Sequence, residues 1–194
     1  MIAVIGIIAE DDSDVSVIDE ILRKITPGKK YRLSKFVGNG CGRIRSKCRE
    51  WAKNLKERGC TLLIIIHDFD RPTEIWKNSM ELNRTINEKL SPSPITDYTI
   101  IIPIHEIEAW FLADHDAINK AFKFHNPIKT IRNPEAILRP KEYLRDLIFL
   151  KSKNKTRYVN SLHNQKIAKH LSIRSLDRCR SFTPLKGFIQ LHLN

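Results

Sequence analysis

The segment Thr61-Leu62-Leu63-Ile64-Ile65-Ile66-His67-Asp68-Phe69-Asp70 decides the fold. Its first six residues form an apolar run rich in β-branched side chains, which is typical of a strand buried on both faces of a parallel sheet. The run ends beside two carboxylates, Asp68 and Asp70, and α/β proteins bind ligands at the carboxyl ends of such strands. The segment therefore predicts a parallel sheet with an acidic site at one edge.

Three further strands are predicted on either side of this segment. They cover residues 1–9, 31–37 and 98–102, and stretches whose apolar residues recur at helical spacing separate them. The alternation of strands and helices predicts an α/β fold, with a parallel, Rossmann-like sheet of about four strands flanked by helices.

The rest of the chain is predicted to be mostly helical. Helices are expected near residues 107–113, 134–150 and 158–171. We therefore expect two parts, an α/β catalytic core over residues 1–114 and a basic, mostly helical region over residues 115–194 that packs on this core.

The net charge of +12 lies almost entirely in the last part of the chain. Residues 1–118 hold 17 Lys and Arg against 18 Asp and Glu, a net charge of −1, whereas residues 119–194 hold 17 against 4, a net charge of +13. This asymmetry indicates a surface that binds a polyanion, with nucleic acid as the expected partner. A solvated basic face that only keeps the protein in solution is the alternative.

Neither export nor membrane insertion is predicted. The N-terminal segment lacks the basic region and the apolar length of a signal peptide, and no apolar run reaches the ~18 residues of a membrane span. We therefore expect a cytoplasmic protein. Its cysteines form no CxxC pair and are expected to be reduced, structural thiols, and a zinc site at Cys41, Cys48 and a histidine is the less favoured alternative.

Acidic residues follow two of the predicted strands. Glu10 follows the first strand, and Asp68 and Asp70 follow the third. If these strands are neighbours, the carboxylates meet at one edge of the sheet, where they repel each other unless a cation lies between them. Oxygen ligands of this kind favour Mg²⁺ or Mn²⁺. Alternation along an extended chain directs Asp68 and Asp70 to one side and Phe69 to the other.

Structural roles are the alternative for several of these features. Residues 11–13 are expected to cap the following helix, and an isolated Asp-x-Asp is usually a turn. The glycines of residues 38–42 could bring the backbone close to a phosphate, although a tight turn is the favoured interpretation. A hydrogen-bonded structural role is likewise favoured for His67 over proton transfer.

The pattern strand-Glu10-x-x-x-Asp14 followed by strand-Asp68-x-Asp70 resembles the Toprim domain, which topoisomerases, bacterial primases, small RNA-maturation nucleases and OLD-family nucleases share. One departure is Asp11, which stands where Toprim domains usually have glycine. The chain also resembles an uncharacterised Toprim-like family linked to phage defence. That resemblance covers nearly the whole chain, through Gly38-Asn39-Gly40, His67-Asp68-Phe69-Asp70, Ile104-His105-Glu106-Ile107-Glu108-Ala109-Trp110-Phe111 and Cys179-Arg180-Ser181-Phe182.

The resemblance implies a Toprim-like fold and roles for four acidic residues. Glu10 is then expected to assist acid–base chemistry or to bind metal, and Asp68 and Asp70 are expected to bind Mg²⁺. In OLD-like nucleases an acidic residue four positions after the glutamate joins the metal site, and here that residue is Asp14. The expected catalytic residues are thus Glu10, Asp68 and Asp70.

Two more carboxylates follow the fourth predicted strand. Glu106 and Glu108 are separated by one residue, and we expect one of them to reach the site and complete a second metal position. The alternative is that one of them only begins a helix. Trp110 and Phe111 are expected to pack in the core of the protein.

These features together favour a Mg²⁺- or Mn²⁺-dependent nuclease that hydrolyses phosphodiester bonds of DNA or RNA. The family resemblance further implies an effector of anti-phage defence that works with an ABC- or AAA-type ATPase. A non-catalytic nucleic-acid-binding or regulatory subunit of such a complex is the main alternative, and a phosphohydrolase acting on nucleotides is a third. The residues expected to contact nucleic acid are Arg43, Arg45, Lys151, Lys153, Lys155 and Arg157.

Overall fold

A computed structural model describes residues 2–38, 40–69 and 77–193 of the chain. Within these ranges one parallel sheet is formed by strands β1 (Ala3–Ala9), β2 (Tyr31–Val37), β3 (Leu62–Ile66) and β4 (Asp97–Ile101). The spatial order of the strands is β2-β1-β3-β4. Since Ile8 of β1 lies beside Ile65 of β3, these two strands are neighbours at the centre of the sheet.

Helices connect and cover the strands. They are α1 (Asp12–Ile25), α2 (Cys41–Glu57), α3 (Ser79–Leu90), α4 (Glu108–Ala113), α5 (His115–Phe122), α6 (Pro140–Lys151), α7 (Asn160–Ala168), α8 (Ile173–Leu176) and α9 (Thr183–Leu193). The predicted α/β class, a parallel sheet of about four strands flanked by helices, is confirmed.

The two central strands, β1 and β3, are buried on both faces, which explains why they appear in the sequence as apolar runs. Successive side chains alternate between two clusters, so that Ile7 and Ile64 belong to the first and Ile8 and Ile65 to the second. The first cluster contains residues of α1 and of α4 to α9, and the second contains residues of α2 and α3. The basic C-terminal helices therefore pack directly on the sheet, in the same cluster as α1.

The predicted helix over residues 134–150 is divided in two. A 3₁₀ turn covers Pro134–Ala136, and α6 begins only at Pro140. A proline disfavours helical geometry in the residue before it, and Arg139 has φ −132° and ψ 71° accordingly. Helix α3 begins at Ser79, with Asn78 as its cap, and residues 70–76 lie outside the described part of the chain.

Two glycines provide a matched test of this packing. A Cβ at Gly6 in β1 would lie 3.0 Å from Cδ1 of Leu55, whereas a Cβ at Gly187 in α9 would meet no atom within 4 Å. We expect Gly6→Val to lower the free energy of unfolding by about 1–3 kcal/mol, because α2 must move away from the sheet. Gly187→Ala should raise it by up to about 1 kcal/mol, because alanine favours the helix. Urea unfolding measures both, and equal effects of the two substitutions would contradict the close approach at Gly6.

Candidate active site

The carboxyl ends of β1 and β3 bring Glu10 and Asp68 together. The backbone N–H of Asp68 donates to Oε1 of Glu10 over 3.2 Å. The backbone N–H of Ile107, which follows β4, donates to Oδ1 of Asp68, also over 3.2 Å. Because β1 and β3 pair in parallel, their ends lie at the same edge of the sheet, and these bonds join the segments that follow three of the strands.

His67 connects Glu10 to Arg45 of α2. Its Nδ1 lies 3.2 Å from Oε1 of Glu10 and 2.7 Å from the carbonyl oxygen of Asp68, and its Nε2 lies 3.4 Å from Nη1 of Arg45. Nδ1 faces two acceptors and Nε2 faces a guanidinium, which only donates, so the neutral ring carries its hydrogen on Nδ1. Since the ring is buried and held on both sides, it orients the Glu10 carboxylate.

The acidic loop after β1 caps α1. Oδ1 of Asp11 accepts the backbone N–H groups of Ser13 and Asp14 over 2.7 and 3.3 Å. Oδ2 of Asp14 accepts the N–H of Asp11 over 3.3 Å, which completes a capping box. Asp12 is exposed and pairs with Lys35. Asp11 thus has the capping role expected for residues 11–13, and Asp14, expected at the metal, takes part in the same cap and is buried.

Glu106 and Glu108 follow β4 and lie in different surroundings. Oε2 of Glu106 accepts the backbone N–H of Lys141, at the start of α6, over 3.0 Å. Glu108 lies in the first turn of α4, is only 2% exposed, and has its Oε1 2.8 Å from the hydroxyl oxygen of Tyr158. The start of α6 therefore fixes Glu106, and Glu108 lies beneath the surface.

A chain of hydrogen bonds connects Glu108 with Asp11 through Tyr158, Asn164 and Ser13. Nδ2 of Asn164 donates to Oγ of Ser13 over 3.0 Å, and that hydroxyl donates to Oδ1 of Asp11 over 2.5 Å. The amide oxygen of Asn164 is then free to accept the single hydroxyl proton of Tyr158. The same hydroxyl lies within hydrogen-bond distance of Oε1 of Glu108, so its one proton is donated either to Asn164 or to Glu108.

Two of these buried carboxyl groups have raised pKa values. Burial raises the pKa of Glu108 from 4.5 to about 7, and repulsion from Glu106 adds to the rise. Burial also raises the pKa of Asp14 well above its ordinary value, and the charge of Asp11 adds to that rise. The charges of Glu108 and Glu10 act on Asp14 in the same direction, so the acidic groups of the site repel one another.

Lys141 is a half-buried cation among these carboxylates. Burial lowers its pKa, but attraction by Glu108, Glu106 and, more weakly, Asp68 and Asp11 outweighs burial and leaves the pKa raised. The ammonium group therefore stays charged in the field of four carboxyl groups from three segments of the chain.

The metal-ligand set expected from the sequence is only partly described. Asp70 lies outside the described residues, whereas Phe69 is buried in the second apolar cluster and its backbone N–H donates to the carbonyl oxygen of Pro103 over 3.2 Å. Within residues 2–38, 40–69 and 77–193, no three His, Cys, Asp or Glu side chains are arranged to hold a metal ion. A binding set of three or more such side chains therefore needs residues outside these ranges, where the expected ligand Asp70 lies.

The basic residues expected to contact nucleic acid occupy two regions. Arg45 contacts His67 and so lies beside the acidic site. Lys151 is the last residue of α6, and Arg157 lies beyond the end of that helix. Nζ of Lys151 is 3.4 Å from the carbonyl oxygen of Pro127, and the guanidinium of Arg157 lies 5.3 Å from the centre of the Phe149 ring. The remaining three are exposed, namely Arg43, Lys153 and Lys155.

No pattern in the sequence pointed to Lys141, Tyr158 or Asn164 as functional residues. Pro140 is a signal for a helix start, because proline is favoured in the first turn, and it could have placed the first turn of α6 at Lys141. Tyr158 lies 50 residues from Glu108, and Asn164 lies 151 residues from Ser13. No local spacing connects residues so far apart.

The fold and the site define an α/β protein with a carboxylate-rich site at the carboxyl edge of a parallel sheet. A family model described as "Domain of unknown function (DUF4276)" matches residues 9–189, and the chain belongs to that family. The matched range includes all the acidic residues described above. No curated protein and no solved structure matches the chain. No helix within the described ranges is long and apolar enough to cross a membrane.

Removing the Tyr158 hydroxyl tests the buried chain of hydrogen bonds. Tyr158→Phe leaves Glu108 and Asn164 without that partner in a buried place, so we expect the free energy of unfolding to fall by about 1–3 kcal/mol. Tyr143→Phe removes an exposed hydroxyl and is the matched control, with an expected change within about 0.5 kcal/mol. Equal urea midpoints for the wild type and Tyr158→Phe would contradict the network.

The raised pKa of Glu108 predicts a pH dependence of stability. Between about pH 4.5 and 7 the folded protein keeps a proton that the unfolded chain has released, so stability falls as pH rises through this window. Relative to Glu108→Gln, the wild type should lose up to roughly 3 kcal/mol between pH 5 and 8, measured by urea unfolding in EDTA. The exposed Glu57→Gln is the control, and a difference between wild type and Glu108→Gln that does not change with pH would show that Glu108 is ionised throughout.

Proposed function

We propose that this protein is a Mg²⁺- or Mn²⁺-dependent nuclease that hydrolyses phosphodiester bonds of DNA or RNA. The observation that carries the proposal is the meeting of Glu10 and Asp68 at the carboxyl ends of the two central strands. The Asp68 N–H bond to Glu10 and the Ile107 N–H bond to Asp68 fix both carboxylates at the edge where α/β proteins bind ligands.

The donor chemistry of this edge fits Mg²⁺. All the acidic side chains offer oxygen atoms, and Mg²⁺ is usually held by one or two carboxylates together with waters and substrate phosphates. Glu10 and Asp68, with Asp70 beyond the described residues, are the proposed ligands. Burial is the main cause of the raised pKa of Asp14, and the charges of Asp11, Glu108 and Glu10 add to it, a repulsion that a bound cation would relieve. When bound, such an ion polarises a phosphate oxygen and lowers the pKa of a bound water.

The protein's own groups have separate parts in this proposal. His67, held by Arg45, orients the Glu10 carboxylate, which accepts a proton from the attacking water. Lys141 stays charged beside the carboxylates and neutralises the charge that develops on the phosphate oxygens. The net charge of +13 over residues 119–194 attracts the polyanionic substrate to this edge. The defence role and the ATPase partner that the family resemblance implies stay predictions.

Asp68→Asn tests the proposed nuclease site. Asparagine keeps an oxygen for the Ile107 N–H but removes the charge, so we expect cleavage to fall by at least about 100-fold while the melting temperature changes little. The control is Asp97→Asn, which removes an exposed carboxylate at the first residue of β4, the far end of that strand. Plasmid DNA, single-stranded DNA, tRNA and long RNA are incubated with Mg²⁺ or Mn²⁺.

Each outcome of this experiment has one meaning. Cleavage by the wild type and by Asp97→Asn, but not by Asp68→Asn, supports the proposal and identifies the substrate. Equal cleavage by all three proteins overturns it. Binding of nucleic acid without cleavage overturns it in favour of the non-catalytic subunit, and turnover of mononucleotides alone favours the nucleotide phosphohydrolase.

Lys141→Met tests the proposed stabilising cation. We expect cleavage to fall by about 100- to 1,000-fold with little change in substrate affinity, because the charge acts on the transition state. Lys141→Arg should restore part of the rate, since the charge returns with a different shape. Lys120→Met removes an exposed lysine of α5 and is the control for the loss of one positive charge. Full activity of Lys141→Met would exclude the role.

A further inference from the structure

One face of α6 leads away from the acidic site. Lys141, Arg145 and Phe149 are spaced four residues apart, so their side chains lie in a row along this helix. At 1.5 Å per residue the row extends about 12 Å along the helix axis, from Lys141 beside the carboxylates to Phe149. The adjacent face of α6 is buried through Leu144 and Ile148.

A cavity of about 320 Å³ lies at the far end of this row. Arg145, Asp146, Phe149 and Arg157 line it. The guanidinium of Arg157 lies 5.3 Å from the centre of the Phe149 ring, and Nε of Arg145 is 3.0 Å from Oδ1 of Asp146. The ion pair of Arg145 and Asp146 is solvent-exposed and therefore weak, so it leaves Arg145 able to bind a phosphate.

The other side of the cavity adjoins, along the chain, a residue that contacts the acidic site. Arg157 is followed directly by Tyr158, which is buried and whose hydroxyl lies 2.8 Å from Glu108. The backbone N–H of Lys141, at the other end of the row, is bonded to Glu106. Helix α6 and the segment around Arg157, which line the cavity, therefore each also carry a residue that is hydrogen-bonded to an acidic side chain of the site.

This combination of groups suits a single-stranded nucleic acid. An aromatic ring stacks with any unpaired base, and two guanidinium groups bind the adjacent phosphates. A paired base inside a duplex cannot present its face to Phe149. A lone phosphate would make no favourable contact with the aromatic ring, and an apolar ligand would make none with the two cations.

We propose that the cavity between α6 and Arg157 binds an unpaired nucleotide of a single-stranded nucleic acid, whose backbone runs along α6 from the acidic site. A base stacks against Phe149, Arg157 binds the phosphate beside this base, and Arg145 binds a phosphate between this base and the scissile bond. The inference rests on the proposed nuclease function, since it assigns the substrate class and the path of the substrate to the same site.

Binding measured without catalysis tests this path. Fluorescence anisotropy of labelled single-stranded DNA, single-stranded RNA and duplex DNA in EDTA gives affinities that do not depend on cleavage. We expect Phe149→Leu to weaken single-strand binding by about 5- to 100-fold. Arg157→Ala should reduce the slope of log affinity against log salt concentration by about 0.7 for a single strand.

A second arginine–phenylalanine pair supplies the matched control. The guanidinium of Arg58 lies 4.5 Å from the centre of the Phe36 ring, and Phe36 packs against the second apolar cluster, on the other face of the sheet from α6. Arg58→Ala should leave both the affinity and the salt slope unchanged. Circular dichroism of each variant checks that it is folded.

The outcomes separate this inference from the proposed function. Selective loss of single-strand binding in Phe149→Leu and Arg157→Ala supports the path, and the DNA and RNA arms identify the sugar. Equal loss in Arg58→Ala, or duplex binding that depends equally on Phe149, overturns it. If the wild type binds single strands through these residues but does not cleave them, the path stands and the nuclease proposal fails. If it hydrolyses bis(p-nitrophenyl) phosphate but binds no single strand, the path alone fails.

Discussion

The parallel pairing of β1 with β3 is the constraint on which the site depends. It places the carboxyl ends of two central strands side by side, and the first polar residues after them, Glu10 and Asp68, must then share one small region. Two neighbouring carboxylates repel each other, so each of them needs a hydrogen-bond donor or a cation as a partner. The backbone N–H groups of Asp68 and Ile107 and the imidazole of His67 supply those partners among the described residues.

Buried polar residues beneath this edge of the sheet support it through hydrogen bonds. Glu108, Tyr158 and Asn164 are all buried, and such groups are tolerated only when each of them is hydrogen-bonded. Because the chain of bonds ends at Asp11, the cap of α1 and the helix after β4 are held by the same C-terminal segment. The acidic edge is therefore built by residues from both the near-neutral and the basic part of the chain.

The sequence predicted the sheet better than the site. Long apolar runs form strands that are buried on both faces of a sheet. The α/β class and the position of Glu10 and Asp68 at strand ends could therefore be predicted from local patterns. The helix over residues 134–150 was wrong because Pro140 divides it. Lys141, Tyr158 and Asn164 act through tertiary contacts with residues far away in the chain, and a single sequence carries no local signal for such pairs.

The hydrogen bonds from α7 to the acidic loop also set an order of assembly during synthesis. Asn160 and Asn164 bond Asp11 and Ser13 across 149 and 151 residues. At about 5–20 residues per second, the loop leaves the ribosome roughly 7–30 s before its partners do. The strands can pair in that interval, but the acidic edge acquires its support only once α7 has emerged. The nascent chain therefore passes through a stage in which it has its sheet but not a finished site.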